Sequence, residues 1–250
     1  MGTSRSQKTL ARFLAPGVKL NTLYFLDLEE SHHLKDVLRL KEGDLIRLLD
    51  LGGKEFLARV EKLGKEVLVR AEEILREEPS EEIQTVFLLP LLKKDILSFL
   101  IEKAVELGVS EVVPYFSSRT VVRPSSNLVS KLQKRALQSL KQCGRLWPLK
   151  VARPLSLKEA LFLEAERKIV AYEREEKTPL RGLLEGFSGK RLLLASGPEG
   201  GFSEEELLLF KEAGFESVSL GPLILRAETA AFYLMCAVHL LVLPNFRLAE

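Results

Sequence analysis

The stretch Leu192–Leu207, LLLASGPEGGFSEEEL, joins two different patterns of secondary structure. An apolar run typical of a buried strand ends at Gly197-Pro198, and a new segment begins with Ser203 and three glutamates. Ser203 followed by Glu206 forms the capping-box pattern of a helix N-terminus, where acidic residues also suit the helix dipole. The stretch therefore predicts a strand, a glycine-rich loop and a helix.

The same alternation of strand and helix runs through the rest of the chain from residue 83. Apolar segments such as TVFLLPLL and KIVAYE alternate with amphipathic segments such as KDILSFLIEKAVELG. Continuous apolar strands between helices are typical of a mostly parallel sheet covered on both faces. We predict an α/β domain over residues 83–250.

The first part of the chain has a different spacing of apolar residues. Segments such as TLYFLDL and DLIRLLDLGGKEFLARV alternate with period two between glycine turns, and SHHLKDVLRLKEG has the spacing of one short helix. We predict a small β-rich domain, a β-barrel, over residues 1–76. The polar segment REEPSEE predicts a linker at residues 77–82.

Composition excludes several classes of protein. The chain has 250 residues, a net charge of +2 and two cysteines. Cys143 and Cys236 lie far apart with no cluster of histidine or acidic residues at ligand spacing, so we expect neither a disulfide framework nor a metal site. No apolar run is long enough to span a membrane, so we expect a cytoplasmic protein without membrane contact.

Charge is distributed unevenly along the chain. Between Glu111 and Glu159 there is no acidic residue, whereas the interval holds ten lysines and arginines. In the helix predicted from Asn127 to Gly144, leucines lie on one face and basic residues on another, and Trp147 follows as a candidate stacking surface. Nucleic-acid binding is the favoured interpretation. The alternative is a solvated basic face paired with acidic helices near Glu164 or Glu204.

The loop GPEGG requires an explanation beyond helix capping. A phosphate cradle is excluded because the loop has no P-loop or dinucleotide fingerprint, and Glu199 with the following glutamates would repel phosphate. Gly197, Gly200 and Gly201 instead allow close approach of a ligand that is neutral or cationic.

A second strand-to-helix junction has the same design. In SVSLGPLILRAETAAFYLMCA, Ser217–Ala237, an apolar strand again ends in Gly-Pro, and a polar cluster with Arg226 and Glu228 precedes a long apolar helix. Strand-to-helix junctions are where open α/β sheets bind ligands. The two junctions therefore predict one ligand site.

Together, GPEGGFSEEE and LGPLILRAETA resemble the C-terminal signature of the SPOUT class of methyltransferases, and more narrowly of the RsmE family. Pro222 stands where arginine is more usual. The segments RFL at Arg12, HHLKDVLRLKEGD from His32, EKAVELGVSEVVPYFSSRTVV and QCGRLWP also resemble that family, so the resemblance covers nearly the whole chain.

The resemblance implies a PUA-like β-barrel followed by a SPOUT-type α/β domain with a deep C-terminal trefoil knot within about residues 190–245. It implies methylation of N3 of a uridine in 16S ribosomal RNA, within a small ribosomal subunit, by a homodimer. The implied cofactor is S-adenosylmethionine, with S-adenosylhomocysteine as product. Its sulfonium charge suits a glycine-lined pocket with a nearby carboxylate better than a phosphate would.

Site roles follow from matching positions. A cation near N3 would stabilise the deprotonated uracil, which makes Arg226 the first catalytic candidate and Arg145 the second, with phosphate contact as the alternative for Arg145. The implied cofactor-binding residues are Ser196, Gly197, Glu199, Gly200, Gly201, Leu220, Gly221, Ile224, Leu225 and Ala230. The expected RNA-binding residues are Arg12, Arg39, Arg119, Arg123, Lys131, Lys134, Arg135 and Lys141.

Two other functions stay open at this point. One is a non-catalytic RNA-binding factor of ribosome assembly, against which the intact glycine junctions argue. The other is a related knotted methyltransferase that modifies a different atom of ribosomal or transfer RNA.

Overall fold

The computed structural model describes residues 10–243, which form two compact units. The first unit runs to Ser80 and also includes Leu140–Trp147, and the second comprises Glu81–Ser139 and the chain from Pro148 onward. The boundary after Ser80 falls within the linker range 77–82. The inclusion of Leu140–Trp147 in the first unit is a feature that local sequence patterns did not indicate.

The first unit is a five-stranded sheet with one short helix. Its strands are β1 (Arg12–Leu14), β2 (Leu23–Phe25), β3 (Leu45–Leu49), β4 (Lys54–Lys62) and β5 (Leu68–Glu77). They are ordered β1-β3-β4-β5-β2, and only β1 and β3 are parallel. Helix α1 (Leu28–His32) continues into a wider π-helical turn at His33–Val37.

Period-two patterning places one face of this sheet in a core. Phe13, Ile46, Phe56 and Val69 are almost fully buried. Register shifts along the β4–β5 ladder mark bulges, which increase twist and curl the sheet around that core. The sequence predicts a β-barrel. In the structure β1 and β2 are the two edge strands of the sheet and do not pair with each other, so the sheet curls without closing by hydrogen bonds between these strands.

Trp147 and the end of the helix Leu128–Cys143 pack into this unit. The indole Nε1 of Trp147 donates a 2.8 Å hydrogen bond to the carbonyl of Pro79. A Cβ added to Gly53 would lie 2.7 Å from the Trp147 ring, so the ring rests directly on the glycine backbone. One side of the Trp147 ring is thus already packed against protein, and its role as a stacking surface for bases stays a prediction.

The second unit is an α/β domain with a parallel sheet, as predicted. Its strands are β6 (Gln84–Pro90), β7 (Glu111–Phe116), β8 (Lys150–Val151), β9 (Leu155–Ser156), β10 (Arg167–Ala171), β11 (Arg191–Ala195) and β12 (Glu216–Val218). Its helices are α2 (Lys94–Glu106), α3 (Leu128–Cys143), α4 (Leu157–Leu161), α5 (Leu180–Leu184), α6 (Glu204–Glu212) and α7 (Ala227–Leu241). Helix α3 ends within the first unit.

Strand order sets the position of the ligand site. The order is β12-β10-β11-β6-β7-β8, and β9 also pairs with β7. Because the strands are parallel, their carboxyl ends share one edge of the sheet. Strand β10 lies between β11 and β12, which places its carboxyl end between the two Gly-Pro junctions. None of the helices within residues 10–243 has the length and hydropathy needed to cross a membrane.

Candidate functional site

The carboxyl ends of β10, β11 and β12 surround a cavity of about 540 Å³. This volume is within the range of small-molecule sites. Nine of the ten residues implied to bind the cofactor line it, together with Arg226. These nine are Gly197, Glu199, Gly200, Gly201, Leu220, Gly221, Ile224, Leu225 and Ala230.

Ser196 is the tenth residue, and it lies behind the cavity rather than on its wall. Its side chain is fully buried, and its carbonyl accepts a 2.7 Å hydrogen bond from the hydroxyl of Tyr115. Burial, with a smaller contribution from Glu206, raises the pKa of Tyr115 well above its usual value. Tyr115 therefore stays protonated and holds the start of the glycine loop.

The glycine loop has little room for larger side chains. A Cβ on Gly197 would lie 3.2 Å from the ring of Phe202. Gly201 has a φ of +65°, and a Cβ there would lie 2.9 Å from Oε1 of Glu173. Gly200 lies against Arg119, whose Nη1 donates a 2.9 Å hydrogen bond to the Gly200 carbonyl. The loop is therefore held from both sides.

Glu206 anchors the far end of this loop through the predicted capping box. Its carboxylate accepts a 3.0 Å hydrogen bond from the Ser203 amide, and Ser203 Oγ accepts one from the Glu206 amide. The same carboxylate accepts bonds from the amide and hydroxyl of Ser118. Burial raises the pKa of Glu206, but these hydrogen bonds outweigh burial and leave the pKa below its ordinary value. Glu206 thus joins the loop after β7 to helix α6.

We expect Glu206→Gln to destabilise the protein by about 1–2 kcal/mol at neutral pH. The folded-state pKa of Glu206 is lowered, so its contribution is present above the unfolded-state pKa of about 4.3 and is lost as pH falls through the folded value. Urea unfolding of both proteins at about pH 7 and about pH 3 measures this, and the gap should shrink at the lower pH. Glu205→Gln, exposed in the same helical turn, is the matched control. Equal stability of the Glu206 and Glu205 variants would contradict this role.

The second junction brings Arg226 to the cavity. Arg226 is the residue before the first turn of α7, with extended backbone at φ −65° and ψ 155°, and its side chain is exposed. Gly221 has a φ of +120°, a conformation that favours glycine. Leu223 and Ile224 are 76% and 85% exposed, so this loop presents an apolar surface at the mouth of the cavity.

Residues at a third junction complete the wall, and sequence reasoning missed them. Ala171, Tyr172, Glu173 and Arg174 follow from the end of β10, and Ile96 comes from α2. The segment KIVAYEREE has no Gly-Pro loop, and its sequence pattern predicts only a strand. Its polar end after an apolar strand was the available signal.

Arg145, the second catalytic candidate, is not among the residues that line the cavity. It follows Gly144, whose φ of +75° and hydrogen bond to the Leu140 carbonyl end α3 in the way that the sequence predicts.

Three of the expected RNA-binding residues are engaged in ion pairs. Arg12 Nε lies 2.7 Å from Oε1 of Glu55, and its Nη1 bonds the carbonyls of Lys141 and Gln142. Lys141 Nζ lies 2.6 Å from Oε1 of the buried Glu30. These two cations are therefore engaged within the first unit, and their role in RNA binding stays a prediction.

Arg135 pairs with Glu102 on α2. The basic face of α3 is thus partly neutralised, although by Glu30 and Glu102 rather than by the helices near Glu164 or Glu204. The other expected RNA-binding residues have exposed side chains: Arg39, Arg119, Arg123, Lys131 and Lys134. Within residues 10–243, no group of three or more histidine, cysteine or acidic residues is arranged to hold a metal ion.

Comparisons with known proteins agree with this architecture. A family described as RNA methyltransferase domain matches residues 78–239, and one described as RNA methyltransferase PUA domain matches residues 26–70. Ribosomal RNA small subunit methyltransferase E of Rickettsia conorii is 32% identical over 84% of this chain and 86% of its own length. The Bacillus subtilis protein of that name is 30% identical over 84% of this chain and 87% of its own length.

A solved structure is also similar to this chain over most of its length. The ribosomal RNA small subunit methyltransferase E of Neisseria gonorrhoeae, crystallised with S-adenosylmethionine, is similar with a TM-score of 0.82 and 29% identity. The match covers 92% of this chain and 97% of that protein.

Proposed function

We propose that this chain, which belongs to the ribosomal RNA small subunit methyltransferase E family, methylates N3 of a uridine in 16S ribosomal RNA. The chain is an S-adenosylmethionine-dependent methyltransferase of small-subunit ribosomal RNA. Beyond this, we propose that the methylated base is uracil, that the methylated atom is N3 and that the substrate is a ribosomal particle in the cytoplasm. The observation that carries the proposal is the cavity at the carboxyl ends of β10, β11 and β12, with Arg226 on its wall.

The residues of the cavity fit S-adenosylmethionine. Gly200 and Gly201 open the wall to close approach, and Glu173 and Glu199 supply negative charge opposite a cationic ligand. When bound, S-adenosylmethionine supplies an activated methyl group on a sulfonium. The protein's part is to exclude water, hold that group and present the base.

Transfer to uracil N3 makes two demands on this chain. N3 lies in the pairing edge, so the target base must be unpaired or turned out of its helix. N3 also carries a proton, and its loss leaves negative charge on the imide. We propose that the exposed guanidinium of Arg226 stabilises this charge at the cavity mouth, and that Arg145 has the secondary role of holding the RNA.

We propose that the RNA path includes Arg119, Arg123 and Lys131. Arg119 is tied to the Gly200 carbonyl, which puts a cation beside the cavity wall, while Arg123 and Lys131 are exposed on the following loop and helix. Lys134, on the same helix as Lys131, belongs to the same proposed surface, and Arg39 is proposed as a separate RNA contact of the first unit. Their positive charge suits phosphates on either side of the target nucleotide.

Reversing the charge of Arg123 and Lys131 together is expected to weaken RNA binding about tenfold at low salt and to flatten its dependence on salt. The matched control reverses Lys190 and Lys211, which are also exposed and lie in the same unit. RNA affinity measured by fluorescence anisotropy across a salt series distinguishes the two variants. Equal salt slopes in both would remove Arg123 and Lys131 from the RNA surface.

We also propose that the protein is a homodimer. Phe99 on α2, with Tyr233 and Leu240 on α7, are 43%, 48% and 73% exposed, and α2 packs against α7. Large apolar side chains exposed on two adjoining helices are typical of an interface. Analytical ultracentrifugation at micromolar concentration measures the mass of the protein in solution. A mass equal to that of one chain would refute this part of the proposal.

A trefoil knot within about residues 190–245 belongs to the same proposal. It is supported by the non-sequential strand order, in which the last strand β12 lies beside β10, and by packing of α7 against both α2 and α5. Residues 244–245 of that range lie outside the described residues. A crystal structure in which the C-terminal segment crosses no loop would refute it.

Two measurements test the activity. Calorimetric titration with S-adenosylmethionine should show saturable binding, whereas a non-catalytic assembly factor would not bind at millimolar cofactor. Mass spectrometry of 16S ribosomal RNA, treated with the protein as free RNA or as small subunits, should place the added methyl group on uracil. A methyl group on a ribose hydroxyl, or on transfer RNA alone, would overturn the assignment of the atom or the substrate.

A further inference from the structure

Glu173 is held at the cavity by the turn that follows β10. The amide of Tyr172 donates a 3.1 Å hydrogen bond to the Val218 carbonyl, which continues the pairing of β10 with β12. The amide of Glu175 then donates to the Tyr172 carbonyl at 3.2 Å and closes the turn. Glu175 itself caps the backbone of Lys177 and Thr178. Glu173 is thus placed on the cavity wall by neighbours that are held by hydrogen bonds.

The carboxylate of Glu173 lies in the space that Gly201 leaves open. A Cβ on Gly201 would lie 2.9 Å from Glu173 Oε1, so these two residues of different loops form one part of the wall. Within residues 10–243, Glu173 makes no hydrogen bond or ion pair. Its charge therefore has no structural partner among the residues that the structure describes.

Two of the other acidic residues near the site have a structural role at a helix. Glu206 caps α6, and Glu228 lies in the first turn of α7, where the helix dipole favours a negative charge. Glu199, like Glu173, is exposed and makes no hydrogen bond or ion pair within residues 10–243, but it lies in the glycine loop. Glu173 alone among these four comes from the central strand of the site, between the two Gly-Pro junctions.

We propose that Glu173 binds a positive charge of the methyl donor, either its sulfonium or its α-ammonium group. This inference rests on the proposed function, because that function supplies the cationic ligand. A carboxylate within a few ångströms of a cation in a partly enclosed cavity contributes substantially to its binding. Glu173 would thereby help the site to select its charged methyl donor.

The test measures the affinities of S-adenosylmethionine and S-adenosylhomocysteine for the full-length protein and its Glu173→Gln variant by calorimetry. S-adenosylhomocysteine keeps the α-ammonium group and lacks the sulfonium charge. We expect Glu173→Gln to weaken S-adenosylmethionine binding by about ten- to a hundredfold. Loss for S-adenosylmethionine alone identifies the sulfonium as the partner, and equal loss for both ligands identifies the ammonium group.

Glu176→Gln is the matched control, because Glu176 is exposed three residues later and does not line the cavity. Glu173→Asp keeps the charge on a shorter side chain and should bind with intermediate affinity. If Glu173→Gln binds both ligands within about twofold of the unchanged protein while retaining its thermal midpoint, the inference is wrong. If the unchanged protein binds neither ligand, the proposed function itself fails and this inference falls with it.

Discussion

Replacing Gly201 by valine is expected to weaken S-adenosylmethionine binding by about a hundredfold or more. Gly201 has a φ of +65°, where a β-branched residue is strained, and its added atoms would enter the space now held by the Glu173 carboxylate. The carboxylate can swing away at little cost, but it would then leave the wall, while the valine side chain would fill part of the cavity. Calorimetric titration of the variant measures the loss.

The control for this change is Gly214→Val. Gly214 has a φ of +82°, yet a Cβ there would meet nothing within 4 Å. It therefore carries the same kind of backbone strain without touching the cavity, and it should lose stability and keep its affinity. A folded Gly201→Val protein with affinity within about tenfold of the unchanged protein would show that the glycine loop does not form the cofactor wall.

Replacing Arg226 by alanine should lower turnover by about a hundred- to a thousandfold and leave S-adenosylmethionine affinity within about threefold. The expected separation arises because Arg226 stabilises charge that develops on the base, not charge on the cofactor. Single-turnover methylation of 16S ribosomal RNA, with saturating protein and cofactor, measures the rate without interference from weak RNA binding.

Arg174→Ala is the comparison for Arg226→Ala. Both arginines line the cavity and both side chains are exposed, so removing either one changes the local charge equally. We expect that only Arg226→Ala reduces the single-turnover rate by about a hundredfold or more. Near-normal turnover in Arg226→Ala would refute the role of Arg226 in the reaction. An equal loss of turnover in Arg174→Ala would show a general electrostatic effect instead of a specific role for Arg226.

Local patterns in the sequence predicted much of this site. The capping box at Ser203 and Glu206, the end of α3 at Gly144 and the two Gly-Pro junctions are each signalled by residues a few positions apart. Such features depend on backbone conformation and on hydrogen bonds between near neighbours, which a short stretch of sequence specifies by itself. The ten cofactor residues were implied by the resemblance to the family rather than by such local patterns, and nine of them line the cavity.

The destinations of the basic residues could not be predicted in this way. Arg12, Arg135 and Lys141 are expected to bind RNA. The acidic partners that they have in the structure, Glu55, Glu102 and Glu30, are 33 to 111 residues away in the chain. The absence of acidic residues within the segment said nothing about acids that folding brings to it. The net charge of a surface depends on which residues are close together in the folded protein, not on which are close together in the sequence.

The sequence alone determined that this chain has a β-rich unit, an α/β unit and two glycine junctions after strands, because periodicity, capping and glycine placement act over a few residues. Only the tertiary structure decided that β10 lies between β11 and β12. That order brings Tyr172, Glu173 and Arg174 into the cavity. Strand order follows from long-range packing of helices on both faces of the sheet, and no short segment of the chain carries that information.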